Sequence, residues 1–144
     1  MNETMKFERD ITIEANLLDR STKGIILEIQ FIGIHNHLWP HGKDIYDYLE
    51  AVVEKHEHDA ILFNYLQYRY TFGNELISTI IIPVFNFKQK SIHPCAIIAD
   101  GSTKTSIQSL MDESMIQKLC NIAVFTDKMK ALEHIKKELS APWI

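Results

Sequence analysis

The chain has 144 residues, a formal net charge of −4 and a pI of about 5.9. Hydrophobic residues make up 46% and charged residues 24%, which is ordinary globular usage and excludes disorder as the starting expectation. No basic block is present, and this excludes general nucleic-acid binding, because phosphate contacts need clustered Lys and Arg. We therefore expect one domain spanning residues 1–144.

The sequence offers no motif for a membrane anchor or a bound cofactor. The N-terminal "MNETMKFERD" has no apolar segment of a secretory signal. The longest apolar run, "LISTIIIPVF", is too short to span a membrane. Cys95 and Cys120 form no CxxC pair of the zinc or redox type. We expect a soluble cytoplasmic protein with no membrane association and no cofactor.

The first predicted elements are two strands. In "DITIEANL", residues 10–17, apolar and polar side chains alternate, which predicts a half-buried strand. "IILEIQFIGI", residues 25–34, is more apolar and predicts a more central strand. Because the turn between them is short, we expect an antiparallel pair.

Helices and strands then alternate. "DIYDYLEAVVEKHEHD" has helical spacing, and "AILFNYLQY" predicts the third strand. "NELISTIIIPV" favours a buried helix with Asn74 as N-cap and Pro83 as its stop, although its β-branched run also suits a strand. The apolar face predicted for the first helix contains Ile45, Leu49, Val52 and Val53, with Tyr48 at its border.

The C-terminal half continues the alternation. "CAIIAD" predicts a fourth strand, "STKTSIQSLM" a helix, "DESMIQKLCN" a further short helix and "IAVFTD" a fifth strand. "DKMKALEHIKKEL" predicts a closing helix with Asp127 as N-cap. The order β-β-α-β-α-β-α-β-α indicates an α/β fold, with a mostly parallel five-stranded sheet, an antiparallel N-terminal strand and about four helices.

Three stretches of this pattern resemble the STAS family, the domain shared by sulfate transporters and anti-sigma factor antagonists. They are "GIILEIQFIGI" before a helix, "DAILFNYLQYRYTFGNEL", and "CAIIADGSTKTSIQSLM" followed by "IAVFTDKMKALEHI". The resemblance covers residues 10–139 and is one of element order. It implies a STAS-like fold and a non-catalytic regulatory or protein-interaction module, acting with a protein partner in a bacterial signalling pathway.

The chain departs from the family at one turn. The STAS turn after the third strand reads Asp-Ser-Ser/Thr-Gly, and Gly73 takes the place of its glycine. Phe72 then stands at the phosphoacceptor position and cannot be phosphorylated, and the Asp is absent. Thr71, one residue earlier, has a hydroxyl that can be phosphorylated. The resemblance therefore implies a divergent module whose switch is altered.

Loops at the carboxyl ends of parallel strands form the functional edge of an open sheet. Residues 69–75 lie at this edge and include aromatic residues and an Arg, which are enriched at protein interfaces. Alternate members of residues 69–75 can also point into the core. A homodimer through a sheet edge near residues 10–17 is a further possibility. The predicted interaction or switch surface contains Arg69, Tyr70, Thr71, Phe72, Gly73, Asn74 and Glu75.

A second stretch at the same edge suggests an alternative function, a small anion- or nucleotide-binding domain. Gly101, Ser102, Thr103 and Lys104 place hydroxyls and an ammonium at a predicted helix start, where free N–H groups favour anions. A P-loop is absent from the sequence. The alternative interpretation is that Ser102 only caps its helix.

Three histidines suggest a further alternative, a metal-dependent enzyme. His35 and His37 fall on one face if the strand continues, which is how two imidazoles can bind one metal, and His41 follows at a turn. The competing interpretation is that they are loop histidines. Neither GxSxG nor HExxH occurs in the chain, so we expect no catalytic set and no metal.

Overall fold

The computed structural model describes residues 2–7, 11–21, 24–36, 38–86, 91–114 and 122–140. Its strands are β1 (Asn2–Phe7), β2 (Ile11–Ser21), β3 (Gly24–Ile34), β4 (Ala60–Arg69), β5 (Phe85–Asn86), β6 (Ser91–Ile92), β7 (Cys95–Ile98) and β8 (Ala123–Phe125). Its helices are α1 (Gly42–Lys55), α2 (Glu75–Val84), α3 (Gly101–Glu113) and α4 (Lys128–Ser140).

Six of the strands form one sheet in the order β1-β2-β3-β4-β7-β8, and β5 pairs with β6. Neighbours from β3 to β8 are parallel, whereas β1–β2 and β2–β3 are antiparallel. The predicted α/β order, with an antiparallel start and parallel strands joined by helices, is confirmed. The predicted count of five strands is wrong, because β1 extends the sheet to six.

Strand β1 escapes prediction because its sequence is mostly polar. In "NETMKF" Phe7 is buried, whereas Thr4, Met5 and Lys6 are exposed. The strand nevertheless pairs in register with residues 11–16 of β2. Residues 11–16 therefore do not form the exposed edge that the sequence suggested for a homodimer, since β1 covers that side of β2.

Side-chain contacts with α1 hold β1 in place. The Glu3 carboxylate lies 2.8 Å from Nε2 of His56 and 3.6 Å from Nζ of Lys55. The hydrogen bond to His56, with the charge of Lys55, holds the pKa of Glu3 below its ordinary value. The rings of Phe7 and Tyr48 meet edge to face, with centroids 5.9 Å apart. Sequence-distant contacts thus fix a strand of low intrinsic hydrophobicity.

The sheet has a hydrophobic core on each face. The larger core lies under α1, α2 and α3, and its largest fully buried side chains are Tyr65, Phe31 and Phe63. The smaller core lies under α4, where Ala131 and Ile135 pack against β3, β4 and β7. Alternation along a strand divides its side chains between the two faces, so Ile11, Ile13 and Ala15 of β2 are buried as predicted, whereas Leu17, on the same face, is only partly buried.

The four longer predicted helices are present. Helix α1 buries Ile45, Leu49 and Val52, as its apolar spacing predicts. Helix α2 begins after Asn74, and Pro83 lies inside its last turn rather than beyond its end. Helix α4 begins after Asp127, whose Oδ1 accepts a hydrogen bond from the N–H of Met129 at 2.8 Å, and this confirms the predicted N-cap.

The prediction for the start of α3 is wrong by one position. The helix begins at Gly101, Asp100 stands at the N-cap without a side-chain cap hydrogen bond, and Ser102 lies exposed in the first turn. Cys95 is buried in β7, as expected. Helix α3 ends at Glu113, and most of the predicted short helix, including Cys120, lies outside the described residues.

A bulge in β4 decides which side chains reach the site. Gln30 pairs with Asn64 and Ile32 with Gln67, so β4 has one residue more than β3 in this interval. Tyr65 is buried against Phe31, which makes Leu66 the extra residue. Its N–H donates to Oδ1 of Asn64 at 3.0 Å. Beyond the bulge, Tyr68 faces the larger core again.

Candidate functional site

Four segments meet at the carboxyl edge of the parallel strands. They are residues 35–41 after β3, which we call the histidine loop, residues 70–74 after β4, which we call the turn, the start of α3 after β7, and residues 126–127 after β8. The N–H of His35 donates to the carbonyl of Arg69 at 2.8 Å. The end of β3 is thereby joined to the end of β4, and the histidine loop lies beside the turn.

The turn has a rigid base and an exposed tip. Tyr70 is buried, and its hydroxyl donates to the carbonyl of Gly73 at 2.7 Å. The N–H of Tyr70 donates to Oγ1 of Thr103 at 3.2 Å. Gly73 has φ 123°, a conformation that a residue with a side chain rarely adopts. The exposed tip consists of Phe72, which is 59% exposed, and of Thr71, which precedes it and carries a hydroxyl.

The structure divides the predicted interaction surface into exposed and buried members. Arg69, Thr71, Phe72 and Asn74 are exposed, whereas Tyr70 is buried beneath them. Two further apolar side chains, which the sequence did not single out, are exposed at the same edge. They are Ile34, whose strand position pairs with Arg69, at 60%, and Leu38 of the histidine loop at 77%.

The residues predicted to bind an anion are divided in the same way. Thr103 is buried, and its hydroxyl donates to the carbonyl of Tyr68 at 3.0 Å, so it joins α3 to β4. The Lys104 ammonium donates to Oγ1 of Thr126 at 2.8 Å. Of the four, Gly101 and Ser102 are exposed and Lys104 is partly buried. The start of α3 is therefore joined to the end of β4 through Thr103 and to the segment after β8 through Lys104.

A cleft of about 370 Å³ opens between the ends of β3 and β4 and the start of α3. Its lining combines a cation, a carboxylate and polar groups with one apolar side chain from the bulge. The lining residues are Gly33, Leu66, Gln67, Tyr68, Arg69, Asp100, Gly101, Ser102 and Thr103.

His35 occupies the centre of a buried hydrogen-bond network that joins the histidine loop to the turn. Its Nδ1 lies 2.7 Å from the Tyr68 hydroxyl, and its Nε2 lies 2.6 Å from Oε1 of Glu75. The His35 side chain is 1% exposed and that of Glu75 is 20% exposed. We call these three residues the His35 network. The imidazole also packs against Trp39 and Tyr70, with ring centroids 4.8 and 5.0 Å away.

Among the described residues, His35 and His41 show no sign of the metal site that the sequence suggested as an alternative. Both ring nitrogens of His35 already face protein groups. His41 precedes α1, where its carbonyl accepts from the N–H of Ile45, and His37 lies outside the described residues. Within the described part of the chain, no group of three His, Cys, Asp or Glu residues is placed to hold a metal ion.

The phenols of the site stay protonated at neutral pH. Burial raises the pKa of Tyr70 to about 12, and the charges of Glu75 and Glu113 contribute. Burial, with smaller contributions from Tyr65 and Glu75, also raises the pKa of Tyr68. Both hydroxyls are therefore hydrogen-bond donors and not anions.

The sequence did not reveal Tyr68 and the position of His35 as members of one network. The three residues of the His35 network lie on β4, in the histidine loop and at the first position of α2. One signal was present: strands β3 and β4 are adjacent in a right-handed β-α-β unit, so residues at their ends must meet. The bulge at Leu66, however, changes which side chains of β4 face the core, and alternation alone does not predict it.

No protein-family model and no curated protein gives a match to this sequence. A solved structure does: the crystal structure of an anti-sigma factor antagonist from Mycobacterium paratuberculosis. The match has a TM-score of 0.58, covers 92% of this chain and 99% of that chain, and has 11% sequence identity. The fold is the STAS fold. The STAS-like architecture predicted from the order of elements is thereby confirmed.

The turn lies between β4 and α2, as the predicted order of elements requires. At 11% identity the match carries the fold and no residue role. Within the described ranges, every helix is too short or too polar to cross a lipid bilayer.

Proposed function

We propose that this protein is a single-domain, non-catalytic STAS-like regulatory module that binds a protein partner in a cytoplasmic bacterial signalling pathway. The observation that carries the proposal is Phe72, a large apolar side chain 59% exposed at the tip of a turn whose base is fixed by buried hydrogen bonds. The matched fold, that of an anti-sigma factor antagonist, supports a regulatory role.

The geometry of the turn favours binding. Ordering a flexible segment on association costs free energy, and a turn that is already fixed avoids that cost. Burial of an aromatic side chain such as Phe72 contributes about 1.5–3 kcal/mol. Arg69, exposed at the end of β4 just before the turn, can add a polar contact for the rim of an interface. Leu38 and Ile34 extend the apolar surface on the β3 side.

Regulation of this surface is part of the proposal. Phe72 occupies the place of the family's phosphoacceptor, so phosphate at that position is ruled out by chemistry. Thr71 is exposed and one residue away. A phosphate there would add about −1.5 to −2 charges next to an apolar contact and would oppose binding through desolvation cost.

The test is a comparison of three purified baits, the wild type, Phe72→Glu and Ile92→Glu. Ile92 is the matched control, an apolar residue 41% exposed that precedes β7 and so lies at the opposite end of the sheet. We expect one protein from the native host to bind the wild type and the Ile92→Glu variant, and to do so directly when bait and partner are both purified. Its affinity for Phe72→Glu should be about tenfold or more weaker. Equal affinity for all three baits would refute the turn as the interface. Mass spectrometry of the bait reports any phosphate on Thr71.

The cleft favours a second candidate function, binding of a small anion or a nucleotide. Its wall brings the Arg69 guanidinium together with Gly101 and Ser102 at the start of α3. Calorimetry with ATP, GTP and inorganic phosphate measures this directly, and Arg69→Ala is the matched variant. Heat that saturates for the wild type and disappears in the variant would support the site, whereas no heat up to about millimolar ligand would remove it.

A further inference from the structure

The His35 side chain is the buried link between the two loops of the proposed interface. It lies after β3, and its ring nitrogens face Tyr68 on β4 and Glu75 at the start of α2. With 1% of its side chain exposed, the imidazole is removed from water, so its hydrogen bonds are worth more than exposed ones. Loss of either bond would remove a contact that is shielded from water.

The partners of His35 determine which ring nitrogen carries a proton. Glu75 presents a carboxylate oxygen 2.6 Å from Nε2, and an ionised carboxylate can only accept a hydrogen bond. Nε2 therefore carries a proton and donates to Glu75. In the neutral ring, Nδ1 is then the acceptor, and the protonated Tyr68 hydroxyl donates to it at 2.7 Å. For this neutral tautomer, hydrogen bonds run in one direction from Tyr68 through His35 to Glu75.

On one side, His35 supports the histidine loop through Trp39. The indole packs on the imidazole, and the backbone of Trp39 has φ 51°, which is uncommon for a residue with a bulky side chain. The N–H of Gly42 donates to the carbonyl of Trp39 at 3.1 Å, and a Cβ on Gly42 would collide with the indole. The strained loop conformation is therefore held by packing against His35 and Gly42.

On the other side, His35 supports the turn through Glu75. Glu75 follows the turn directly, and its side chain lies so close to Gly73 that a Cβ there would overlap it. The hydroxyl of Tyr46 donates to the Glu75 carbonyl at 3.4 Å, which ties the same residue to α1. Glu75 therefore packs directly against the turn that displays Phe72.

We infer that His35 is a positioning residue that couples the histidine loop and the turn, so that the two loops order and open as one unit. This inference rests on the proposed function for its biological meaning, because it concerns the same surface. A partner that contacts Leu38 would then also stabilise the conformation that presents Phe72, although the two residues are on different loops. The hydrogen bonds of His35 to Glu75 and Tyr68 carry the coupling.

Hydrogen exchange on the isolated protein tests the coupling and needs no partner. The reporters are the hydrogen-bonded amides of Trp39 and Gly42 in the histidine loop, and those of Tyr70 and Ile77 around the turn. We expect Glu75→Leu to accelerate exchange at all four amides by about tenfold or more, because a buried hydrogen bond to a charged group is lost. Acceleration confined to Tyr70 and Ile77 would overturn the coupling.

Two further variants separate coupling from a general loss of stability. Glu75→Gln keeps an oxygen that accepts from His35, so exchange should stay within about threefold of the wild type. Asp47→Asn removes an exposed ion pair with Lys43 on α1 and should change neither loop. In Glu75→Leu the amide of Ile61, which donates to the Pro94 carbonyl at 2.9 Å at the opposite end of the sheet, reports general loss of stability, and acceleration there equal to that at the four reporters would refute the inference.

Nitrogen chemical shifts of the wild-type protein keep the inference testable even if Glu75→Leu does not fold. A proton on Nε2 of His35 at neutral pH agrees with the proposed bond to Glu75, whereas an unprotonated Nε2 would refute it. These results are independent of partner binding. A failure of Phe72→Glu to weaken binding would remove the proposed function, and normal exchange in Glu75→Leu would remove the coupling.

Discussion

Deletion of Leu66 should leave the protein nearly as stable as the wild type, although the residue lies within a central strand. Gln30 pairs with Asn64 and Ile32 with Gln67. Removal of the extra residue therefore gives a regular ladder between β3 and β4 in which all the present pairs are kept. The side chains on both sides of the deletion stay on their present faces. Deletions inside strands otherwise move all following side chains to the opposite face.

The expected magnitude follows from the surroundings of Leu66. Its side chain is 39% exposed, so the deletion loses only part of the roughly 1.5–3 kcal/mol that full burial of a leucine contributes. Removing the residue also avoids about 1–2 kcal/mol of backbone ordering. The N–H of Leu66, which donates to Oδ1 of Asn64, is removed with the residue, so the deletion leaves no unpaired donor. The two contributions nearly cancel, and the net change should lie within about 1 kcal/mol.

Urea unfolding followed by circular dichroism measures this change, with deletion of Leu62 as the matched control. Leu62 is fully buried upstream of the bulge, and its removal would turn Phe63 and Tyr65 away from the larger core. Each aromatic side chain loses about 1.5–3 kcal/mol of burial, so the control should lose about 3–6 kcal/mol out of a typical stability of about 5–15 kcal/mol. A Leu66 deletion that costs more than about 3 kcal/mol would refute the assignment of the bulge.

Three further predictions concern stability. Gly73→Ala should lower the free energy of unfolding in urea by about 1–3 kcal/mol, because φ is 123° and the added Cβ meets the side chain of Glu75. Gly101→Ala should lower it by about 1–2 kcal/mol, because φ is 55° but the added Cβ has open space. Asp127→Ala should cost about 0.5–2 kcal/mol and lower Tm, because α4 loses its cap hydrogen bond. Burial lowers the pKa of His58 and of His93 below the ordinary 6.5, so the unfolded chain takes up protons that the folded chain does not. Stability should therefore be full above pH 6.5 and fall as the pH drops below it, as urea midpoints at about pH 8 and about pH 5.5 would show.

Each of these predictions has an outcome that contradicts it. A larger loss in Gly101→Ala than in Gly73→Ala would mean that the turn tolerates a side chain. An unchanged Tm for Asp127→Ala would show that its cap bond is exchanged for water at no cost. For the histidines, the double variant His58→Gln with His93→Gln should reduce the pH dependence, and an undiminished dependence would assign it to other groups.

Much of the fold follows from local patterns in the sequence. Alternation in β2, helical spacing in α1 and the Asp127 cap of α4 all agree with the structure because each depends on neighbours a few residues apart. Strand β1 was missed because its sequence is polar and its stability comes from partners far along the chain, such as the contact of Glu3 with His56. Local rules have no access to such contacts.

The site was only partly predictable for the same reason. The carboxyl edge and the turn at Gly73 follow from the order of elements, and Phe72 is exposed there. The burial of Tyr70 depends on the bulge, which shifts the alternation of β4 by one residue. His35 was noticed as part of a histidine cluster, but its partners, Tyr68 and Glu75, are 33 and 40 residues away in sequence. Only the three-dimensional packing shows that it belongs to the turn.

The mixed sheet has a consequence for synthesis of the chain on the ribosome. Strands β1, β2 and β3 are close in sequence and pair antiparallel, so they can associate early. Strand β4 can pair with β3 only after α1 has been synthesised, because α1 lies between them in sequence. Until β4 emerges, one side of β3 is an unpaired edge that carries apolar residues from Ile26 to Phe31. Such edges attract other nascent chains. Translation through α1 and β4, residues 42–69, is therefore the interval in which this protein is most exposed to aggregation and gains most from chaperones.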